Sequence, residues 1–411
     1  MQVNRAPRAL VATLVSLLVA PTLAAAQHWG QWRGPDGLGI SAETGIATRW
    51  GADHNIAWRV PLEGLGTSTP VIWGDRIFLT SQVGTGPVDE RGAQFPGTQR
   101  GASRPSDDCV LLLIQAFHRD DGRVEWEHRL TAEGPIPPVH RNHNLATLSV
   151  VTDGDRLFAW FGTGQLVALD LEGRELWSRH IGQEYAPFDV LWGHGSSPQL
   201  YEDLLILQCD HPEMAYLLAL DTATGEERWI VDRGSGLRAY STPLVVSTDN
   251  GDQLIVNSSR WIDAYEPRTG QPRWQAGSTV ELAIGMPVYG DGVVYSTRGY
   301  SSGPSLSVDT GGHGDVNGTH VRWRQATRAP YVSSLLLYRG LLYMATENGI
   351  LTISDPDTGD PVARARLDGV YTASPVAADG HVYLLNEDGE TVVLEAGPDA
   401  RVVSRNAIGE R

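Results

Sequence analysis

The chain has 411 residues, and 32 basic against 49 acidic residues give it a formal net charge of −17. An acidic protein of this kind is a poor partner for nucleic acid or for an anionic lipid surface, because like charges repel. Every basic residue is an arginine, which excludes catalysis through a lysine Schiff base.

The first 26 residues have the pattern of a secretory signal peptide. Arg5 and Arg8 precede an apolar run from Leu10 to Ala20, and the small residues 24–26 follow as a cleavage site. The apolar run is short for a membrane span. We therefore expect a signal peptide over residues 1–26 and a single domain over residues 27–411. We also expect a periplasmic or secreted location, with no transmembrane anchor after signal removal.

An eleven-residue phrase returns along the chain, with its cleanest copy at residues 219–229. Its Asp accepts hydrogen bonds from the following backbone N–H groups, and its Gly supplies the positive φ that closes a turn. A Trp begins the next strand, and we predict that this large side chain covers the neighbouring repeat unit. The predicted docking tryptophans are Trp58, Trp126, Trp177, Trp229, Trp274 and Trp323.

A second phrase precedes each copy: a small residue, then Pro or an apolar residue, then two strands joined by a turn. Pro198, Pro243 and Pro287 mark this phrase at intervals of 45 and 44 residues. Four short strands in each unit at such a period predict an all-β fold, a β-propeller of four-stranded blades. A β-sandwich would require the in-phase copies to arise by chance.

The blade count rests on one additional strand. Seven units carry the first three strands, and they begin near Thr69, Thr147, Ser197, Thr242, Met286, Ser334 and Ser374. A further fourth-strand phrase, residues 56–60 around Trp58, stands before the first unit. It predicts an eight-bladed template whose last blade is incomplete in this sequence. The alternative is a seven-bladed ring that adds this strand to the edge of blade seven.

The phrase at residues 219–229, repeated in this way, resembles the tryptophan-docking repeat of the pyrroloquinoline quinone (PQQ) propeller superfamily. The opening at residues 29–37 is similar to that of secreted PQQ-binding-like repeat proteins. The resemblance implies the propeller fold over residues 29–411. It also implies one of two kinds of function: the quinoprotein dehydrogenases, or a non-catalytic branch that includes the lipoprotein of outer-membrane β-barrel assembly.

The dehydrogenases of this superfamily use adjacent cysteines, a Ca²⁺ held by Glu and Asn, an Asp base and a Trp floor. Here the cysteines are Cys109 and Cys209, 100 residues apart, and they are candidates for a disulfide in a periplasmic protein. Neither an EF-hand calcium loop nor a haem-attachment motif is evident. No cofactor is certain, and PQQ or a divalent metal stays open.

In a propeller, the loops that enter each first strand share a face with the loops that join strands two and three. This rule brings together a candidate metal set: His140, His143, His194, Asp210 and His211. Imidazole and carboxylate groups suit Zn²⁺ or Cu²⁺, although solvated or hydrogen-bonded loop residues are the alternative. The same rule predicts a ligand or peptide face formed by Arg238, Tyr240, Arg260, Trp261, Arg298, Tyr331 and Tyr371.

Two principal hypotheses follow. The first is a non-catalytic binding or scaffolding propeller, a monomer with a protein or peptide partner in the cell envelope. The alternative is a PQQ- or metal-dependent oxidoreductase, and a hydrolase or lyase that uses His194 and Asp210 is a third possibility. Propellers carry many activities, so the fold alone does not choose among them.

Overall fold

A computed structural model describes residues 28–84, 88–89, 109–140, 142–188, 190–300, 303–326 and 329–409. The predicted signal peptide and most of the long loop between residues 84 and 109 lie outside these ranges. The described chain is built of β-strands, with one short helix at Ile181–Glu184. No helix within the described ranges is long and apolar enough to cross a membrane.

Seven antiparallel sheets of four strands follow one another along the chain, and each is formed by consecutive strands. Blade one comprises Val71–Trp73, Arg76–Val83, Leu111–His118 and Val124–Thr131. Blade two comprises Val151–Thr152, Arg156–Trp160, Gln165–Asp170 and Glu175–His180. Blade three comprises Gln199–Tyr201, Leu204–Asp210, Ala215–Asp221 and Glu227–Gly234. Blade four comprises Leu244–Thr248, Gly251–Asn257, Ile262–Tyr265 and Pro272–Ala276.

The remaining three blades have the same order. Blade five comprises Val288–Gly290, Val293–Thr297, Ser305–Asp309 and Val321–Gln325. Blade six comprises Leu336–Tyr338, Leu341–Ala345, Ile350–Ser354 and Pro361–Arg366, and blade seven comprises Val376–Ala378, His381–Leu385, Glu390–Glu395 and Val402–Ala407. Two-residue strands extend two of the blades: Ile40–Ser41 pairs with blade seven, and Gly314–Asp315 with blade four. Val88–Asp89 and Val139–His140 form a separate two-stranded sheet. The all-β propeller fold predicted from the repeats is confirmed.

The hydrophobic core lies between neighbouring blades. Six clusters of buried side chains join the blades in sequential pairs, from blades one and two through blades six and seven. Each blade therefore buries a face against the blade before or after it, as expected when one sheet cannot cover its own apolar surface.

Every blade carries a β-bulge between its third and fourth strands, at the position that opens the connecting turn. In blade three the bulge follows the pair Ala219–Trp229, so a small residue lies opposite the large indole. A bulge at this point increases the local twist of the strand and directs the indole toward the next blade.

The tryptophans contact the turn of the following blade in one recurring geometry. The indole Nε1 of Trp126 donates to Leu171 O at 2.8 Å, that of Trp177 to Thr222 O at 3.1 Å, and that of Trp323 to Pro356 O at 2.8 Å. A Cβ added to the turn glycine would lie 2.6–2.8 Å from the indole at Gly173, Gly225, Gly270 and Gly359. The turn glycine therefore supplies both a positive φ and room for the ring.

Trp274 and Trp229 depart from this geometry. Trp274 donates to Gln253 Oε1 of its own blade at 2.8 Å, because the loop of blade five that would receive it forms the strand Gly314–Asp315 instead. Trp229 covers Gly270, but its Nε1 is buried without a hydrogen-bond partner among the described residues.

Hydroxyl groups link the blades near the central axis. Thr69 N donates to Ser149 Oγ at 2.9 Å, Ser149 N to Ser197 Oγ at 3.0 Å, and Ser197 N to Thr242 Oγ1 at 3.0 Å. The series resumes from Met286 N to Ser334 Oγ and from Ser334 N to Ser374 Oγ, both at 3.0 Å. In blades two, three, four, six and seven, the small polar residue before the first strand is therefore an acceptor for the preceding blade.

Residues 28–41, here called the central segment, touch all seven blades. Trp29 exchanges backbone hydrogen bonds with Ile72 of blade one, and Gly30 O accepts from Thr152 N of blade two. Gln31 contacts Gln199 of blade three. The segment continues past blades four and five, where Trp32 and Leu38 pack, and Leu38 also reaches the core between blades five and six. It ends as the strand Ile40–Ser41 parallel to blade seven.

Arg33 holds this segment in place from within. Its side chain is buried, and its Nη2 donates to Leu38 O at 2.9 Å and to Leu335 O of blade six at 2.8 Å. Burial without a carboxylate partner lowers the pKa of the guanidinium to about 10.

The prediction of a strand at residues 56–60 is wrong. These residues form no strand because no described strand lies beside them to complete a ladder. Trp58 nevertheless contacts blade one: its Nε1 donates to Arg119 O at 2.8 Å, and a Cβ on Gly122 would lie 2.4 Å from the indole. The choice between an eight-bladed template and a seven-bladed ring stays a prediction.

Candidate functional site

One large cavity opens on the face formed by the loops that enter each first strand and those that join strands two and three, here called the entry-loop face, and it continues along the strands of blades six and seven to residues 46–56. Its volume is about 2530 Å³, and its lining comes from all seven blades. Trp29, Trp32 and Arg33 of the central segment also line it. A ligand would therefore meet the central segment at the base of this cavity.

Several of the residues that the entry-loop rule named lie on this cavity, and their role as ligand-binding residues stays a prediction. His140, His143, Tyr240 and Tyr331 line it. Tyr240 and Tyr331 come from the entering loops of blades four and six, and Tyr240 OH donates to Leu191 O.

The remaining ligand-face residues divide into exposed and buried ones. Arg238 is exposed, and Arg260 stacks on Trp261 with its Cζ 5.2 Å from the ring centroid. Arg298 is 2 % exposed and donates to the backbone oxygens of Ser258 and Ser278, so it joins loops and does not face a ligand.

Tyr371, like Arg298, does not lie on the predicted ligand face. It is fully buried in the core between blades six and seven, and its hydroxyl donates to Asp368 O at 3.1 Å. Arg298 and Tyr371 were both assigned from loop position alone, which does not reveal whether a side chain points inward.

Three cavity residues were not named by the entry-loop rule: Trp192, Glu347 and Glu387; Glu281 and Tyr300 of blade five, which that rule also gathers on this face, line the cavity as well. Glu347 and Glu387 lie in the loops that join strands two and three of blades six and seven. The same loop rule, applied to those two blades, would have found them.

Buried imidazoles lie beside this face, between blades two and three. His194 Nδ1 and His211 Nε2 are 3.3 Å apart, and both side chains are about 1 % exposed. Trp160 and Phe188 pack against them with ring centroids 4.4 Å from His194 and His211 respectively. Burial, chiefly, lowers the pKa of His211 to about 3 and that of His194 well below its usual range, so both are neutral at pH 7.

His143 is partly buried nearby. Burial, and then the neighbouring His140, lower its pKa to about 4. Ring nitrogens of His143, His194 and His211 are buried without a hydrogen-bond partner among the described residues.

Asp210, the last residue of its strand, belongs to a separate network from His211. Arg233 Nε donates to Asp210 Oδ1 at 2.9 Å, and Arg233 Nη1 lies 3.0 Å from Asp263 Oδ2. Burial opposes the charge of Arg233, but the two carboxylates raise its pKa. Burial raises the pKa of Asp263 to about 7 despite the arginine, because Asp210 already shares that cation.

Comparison with known proteins supplies the family. A family model described as outer membrane protein assembly factor BamB matches residues 40–186, 113–302 and 258–360. The chain belongs to this family of PQQ-like propellers. The assembly factor BamB of Legionella pneumophila (strain Paris) is 24% identical over 202 residues, which cover 47% of this chain and 49% of that protein. The chain therefore matches about half the length of this curated relative.

Solved structures show the fold of the family at low identity. The quinohemoprotein alcohol dehydrogenase ADHIIG of Pseudomonas putida HK5 aligns with a TM-score of 0.61 and 12% identity over 92% of this chain and 72% of that one. The quinohemoprotein alcohol dehydrogenase of Comamonas testosteroni gives a TM-score of 0.60 and 11% identity over 93% and 73%. These likenesses support the propeller architecture.

The entry-loop face of this PQQ-like propeller does not fit PQQ. The cofactor carries three carboxylates, whereas the lining presents Glu281, Glu347 and Glu387 against two arginines, Arg33 and Arg364, so like charges predominate. Arg33, at the base, is already engaged with backbone oxygens. Cys109 and Cys209 are both free, the first exposed and the second buried, and so they form neither an adjacent pair nor a disulfide.

The predicted metal set does not come together as one group. Asp210 is held by Arg233, and within the described ranges no three His, Cys, Asp or Glu side chains converge as a metal site. The 3.3 Å separation of the His194 and His211 nitrogens fits a hydrogen bond between two neutral rings. A metal site at these residues stays a prediction.

Proposed function

We propose that this PQQ-like propeller is a non-catalytic binding module of the cell envelope, which holds an extended segment of a protein partner on its entry-loop face. The observation that carries the proposal is the cavity, whose volume of about 2530 Å³ exceeds the roughly 300–1,000 Å³ of small-molecule pockets. Its breadth across seven blades suits a chain rather than a compact ligand.

The family supports the same conclusion. The curated relative is named as an outer membrane protein assembly factor. The relationship therefore favours a location in the cell envelope and a protein as the binding partner. A signal peptide over residues 1–26 would deliver the domain of residues 27–411 to that compartment as a monomer.

Site-specific photo-crosslinking in intact cells tests this function. A photoreactive residue replaces Asn348, which is exposed and lines the cavity, and in a control replaces Asp120, which is exposed in the turn of blade one away from the cavity. We expect a discrete crosslinked protein, identified by mass spectrometry as an envelope protein, from position 348 and not from position 120. Equal crosslinking at both positions, or none at position 348, would refute the proposal.

A further inference from the structure

Aromatic side chains gather on one side of the cavity, where the loops of blades three to six meet. The rings of Tyr300 and Tyr331 meet edge to face with centroids 4.9 Å apart, and those of Trp192 and Tyr240 lie 6.3 Å apart. All four side chains line the cavity. They come from four different blades, so the cluster exists only in the folded ring.

Two carboxylates belong to the same cluster. Glu347 Oε1 accepts hydrogen bonds from Tyr331 N at 2.8 Å and Val332 N at 2.7 Å, which fixes one carboxylate beside the aromatic rings. Glu281 is exposed in the entering loop of blade five and lines the cavity. Burial, then Tyr240, Tyr300, Glu281 and Glu347, raise the pKa of Tyr331, so all four groups act on this phenol.

Within the described ranges no salt bridge joins an arginine to Glu281 or Glu347, although the charge of Arg238 acts on the phenol of Tyr240. Arg298 is committed to the backbone oxygens of Ser258 and Ser278. Arg238 is exposed beside Tyr240, at a position that does not line the cavity. The cluster therefore combines electron-rich ring faces with carboxylates, and both attract an organic cation.

We propose that Tyr240, Tyr300 and Tyr331, with Glu281 and Glu347, bind the guanidinium or ammonium group of a basic side chain in an extended peptide. The rings contact the flat or methylene part of the group, and the carboxylates neutralise its charge. This inference rests on the proposed function, because it names the chemistry of the segment that the entry-loop face holds.

Isothermal titration calorimetry of the purified full chain tests the pocket directly. The probes are acetyl-Gly-Arg-Gly-amide and its citrulline analogue, which has nearly the same shape and no charge; tetramethylammonium tests whether a free cation suffices. Cation–π contact and charge pairing of this kind predict at least a tenfold preference for arginine over citrulline. Tetramethylammonium is expected to bind more weakly than the arginine peptide, and tighter binding than that peptide would assign the pocket to a small cation and refute a peptide side chain.

Substitutions assign the preference to the cluster. The double variant E281Q/E347Q should abolish it, while the amide oxygen that E347Q introduces can still accept the two backbone hydrogen bonds and keep the loop folded. The control E226Q, in the turn of blade three, should leave it unchanged. Y331L should weaken binding of the arginine peptide several-fold, whereas Y331F, which retains a ring, should not.

Each result decides a separate question. Equal binding of the arginine and citrulline peptides, a preference that survives E281Q/E347Q in a protein of normal melting temperature, or no arginine-peptide binding at millimolar concentration would overturn the pocket. If photo-crosslinking at position 348 still captures a partner, the proposed function stands and only the cation chemistry fails. If the arginine peptide is preferred but no partner is crosslinked at position 348, the cation-binding cluster stands and the proposed protein-binding function is refuted.

Discussion

The docking tryptophans provide a matched pair for measuring what one inter-blade hydrogen bond contributes. Trp177 and Trp229 are both half-buried, both are the third residue of a fourth strand and both cover a turn glycine of the next blade. Only Trp177 has a partner for its indole N–H, Thr222 O at 3.1 Å. The Nε1 of Trp229 is buried without one among the described residues.

Replacement by phenylalanine removes the N–H and a similar part of the ring in both cases. At Trp177 the change loses a hydrogen bond, a net contribution of about 1 kcal/mol, and leaves a buried carbonyl with fewer partners. At Trp229 it removes an unsatisfied donor, whose burial costs about 1 kcal/mol or more. W177F should therefore lower the free energy of unfolding by about 2 kcal/mol more than W229F does.

Urea unfolding followed by far-ultraviolet circular dichroism measures this difference without depending on tryptophan fluorescence. W323F is a second test, because Trp323 donates to Pro356 O at 2.8 Å and should behave like W177F. If W177F and W229F destabilise the protein equally, or W229F destabilises it more, the hydrogen bond is not what distinguishes these contacts.

Three further changes have expected outcomes of their own. S197A removes the acceptor for Ser149 N at a buried site and should lower the free energy of unfolding in urea by about 1–3 kcal/mol. Replacement of an exposed serine by alanine should lower it by less than about 0.5 kcal/mol. Equal losses would contradict the role of Ser197 in linking the blades. Asp263 has a folded-state pKa raised to about 7, so the stability of the wild-type protein should fall as pH rises from about 4 to about 7. The variant D263N should lack this decline when melting is measured against pH. Parallel pH profiles for the two proteins would show that Asp263 does not titrate in this range. His211 has a folded-state pKa lowered to about 3, so stability should be lost as pH falls from about 6.5. The variant H211Q should keep more of its neutral-pH stability near pH 4. An unchanged slope of stability against pH in H211Q would assign the loss to other groups.

What the sequence predicted well is what short segments determine by themselves. The Asp-to-Gly turn closes within one hairpin, as in Asp221 Oδ1, which accepts from Ala223 N and Thr224 N at 2.9 Å, with Gly225 at φ 72°. The same turn contacts recur at Asp170 and Asp355, so most of the blades could be located from the sequence. Loop position is also fixed by topology: Tyr240 and Tyr331, which the entering-loop rule named, line the cavity, and their binding role stays a prediction.

What the sequence could not predict depends on contacts between distant residues. Arg33 donates to Leu335 O, 302 positions away, and no local pattern indicates that residues 28–41 touch every blade. The burial of Arg298 and Tyr371 likewise depends on which way a loop folds over its neighbour. Asp210 and His211 are adjacent in sequence, yet Asp210, the last residue of its strand, binds Arg233, whereas His211, just beyond the strand, meets His194.

The irregular blade shows how the repeat and the candidate site are connected. Blade five has Met286 where most other blades have a serine or threonine, and a thioether is a weak acceptor for the inter-blade hydrogen bond. Its side chain instead packs in the cluster that holds Trp32 and Leu38 of the central segment, and a Cβ on Gly37 would lie 3.0 Å from its Cε. At blade five, apolar contact with the central segment thus replaces the inter-blade hydrogen bond. Because that segment forms the base of the cavity, the packing of Met286 against it helps to fix the floor beneath the aromatic–carboxylate cluster, whose side chains come from blades three to six, blade five included.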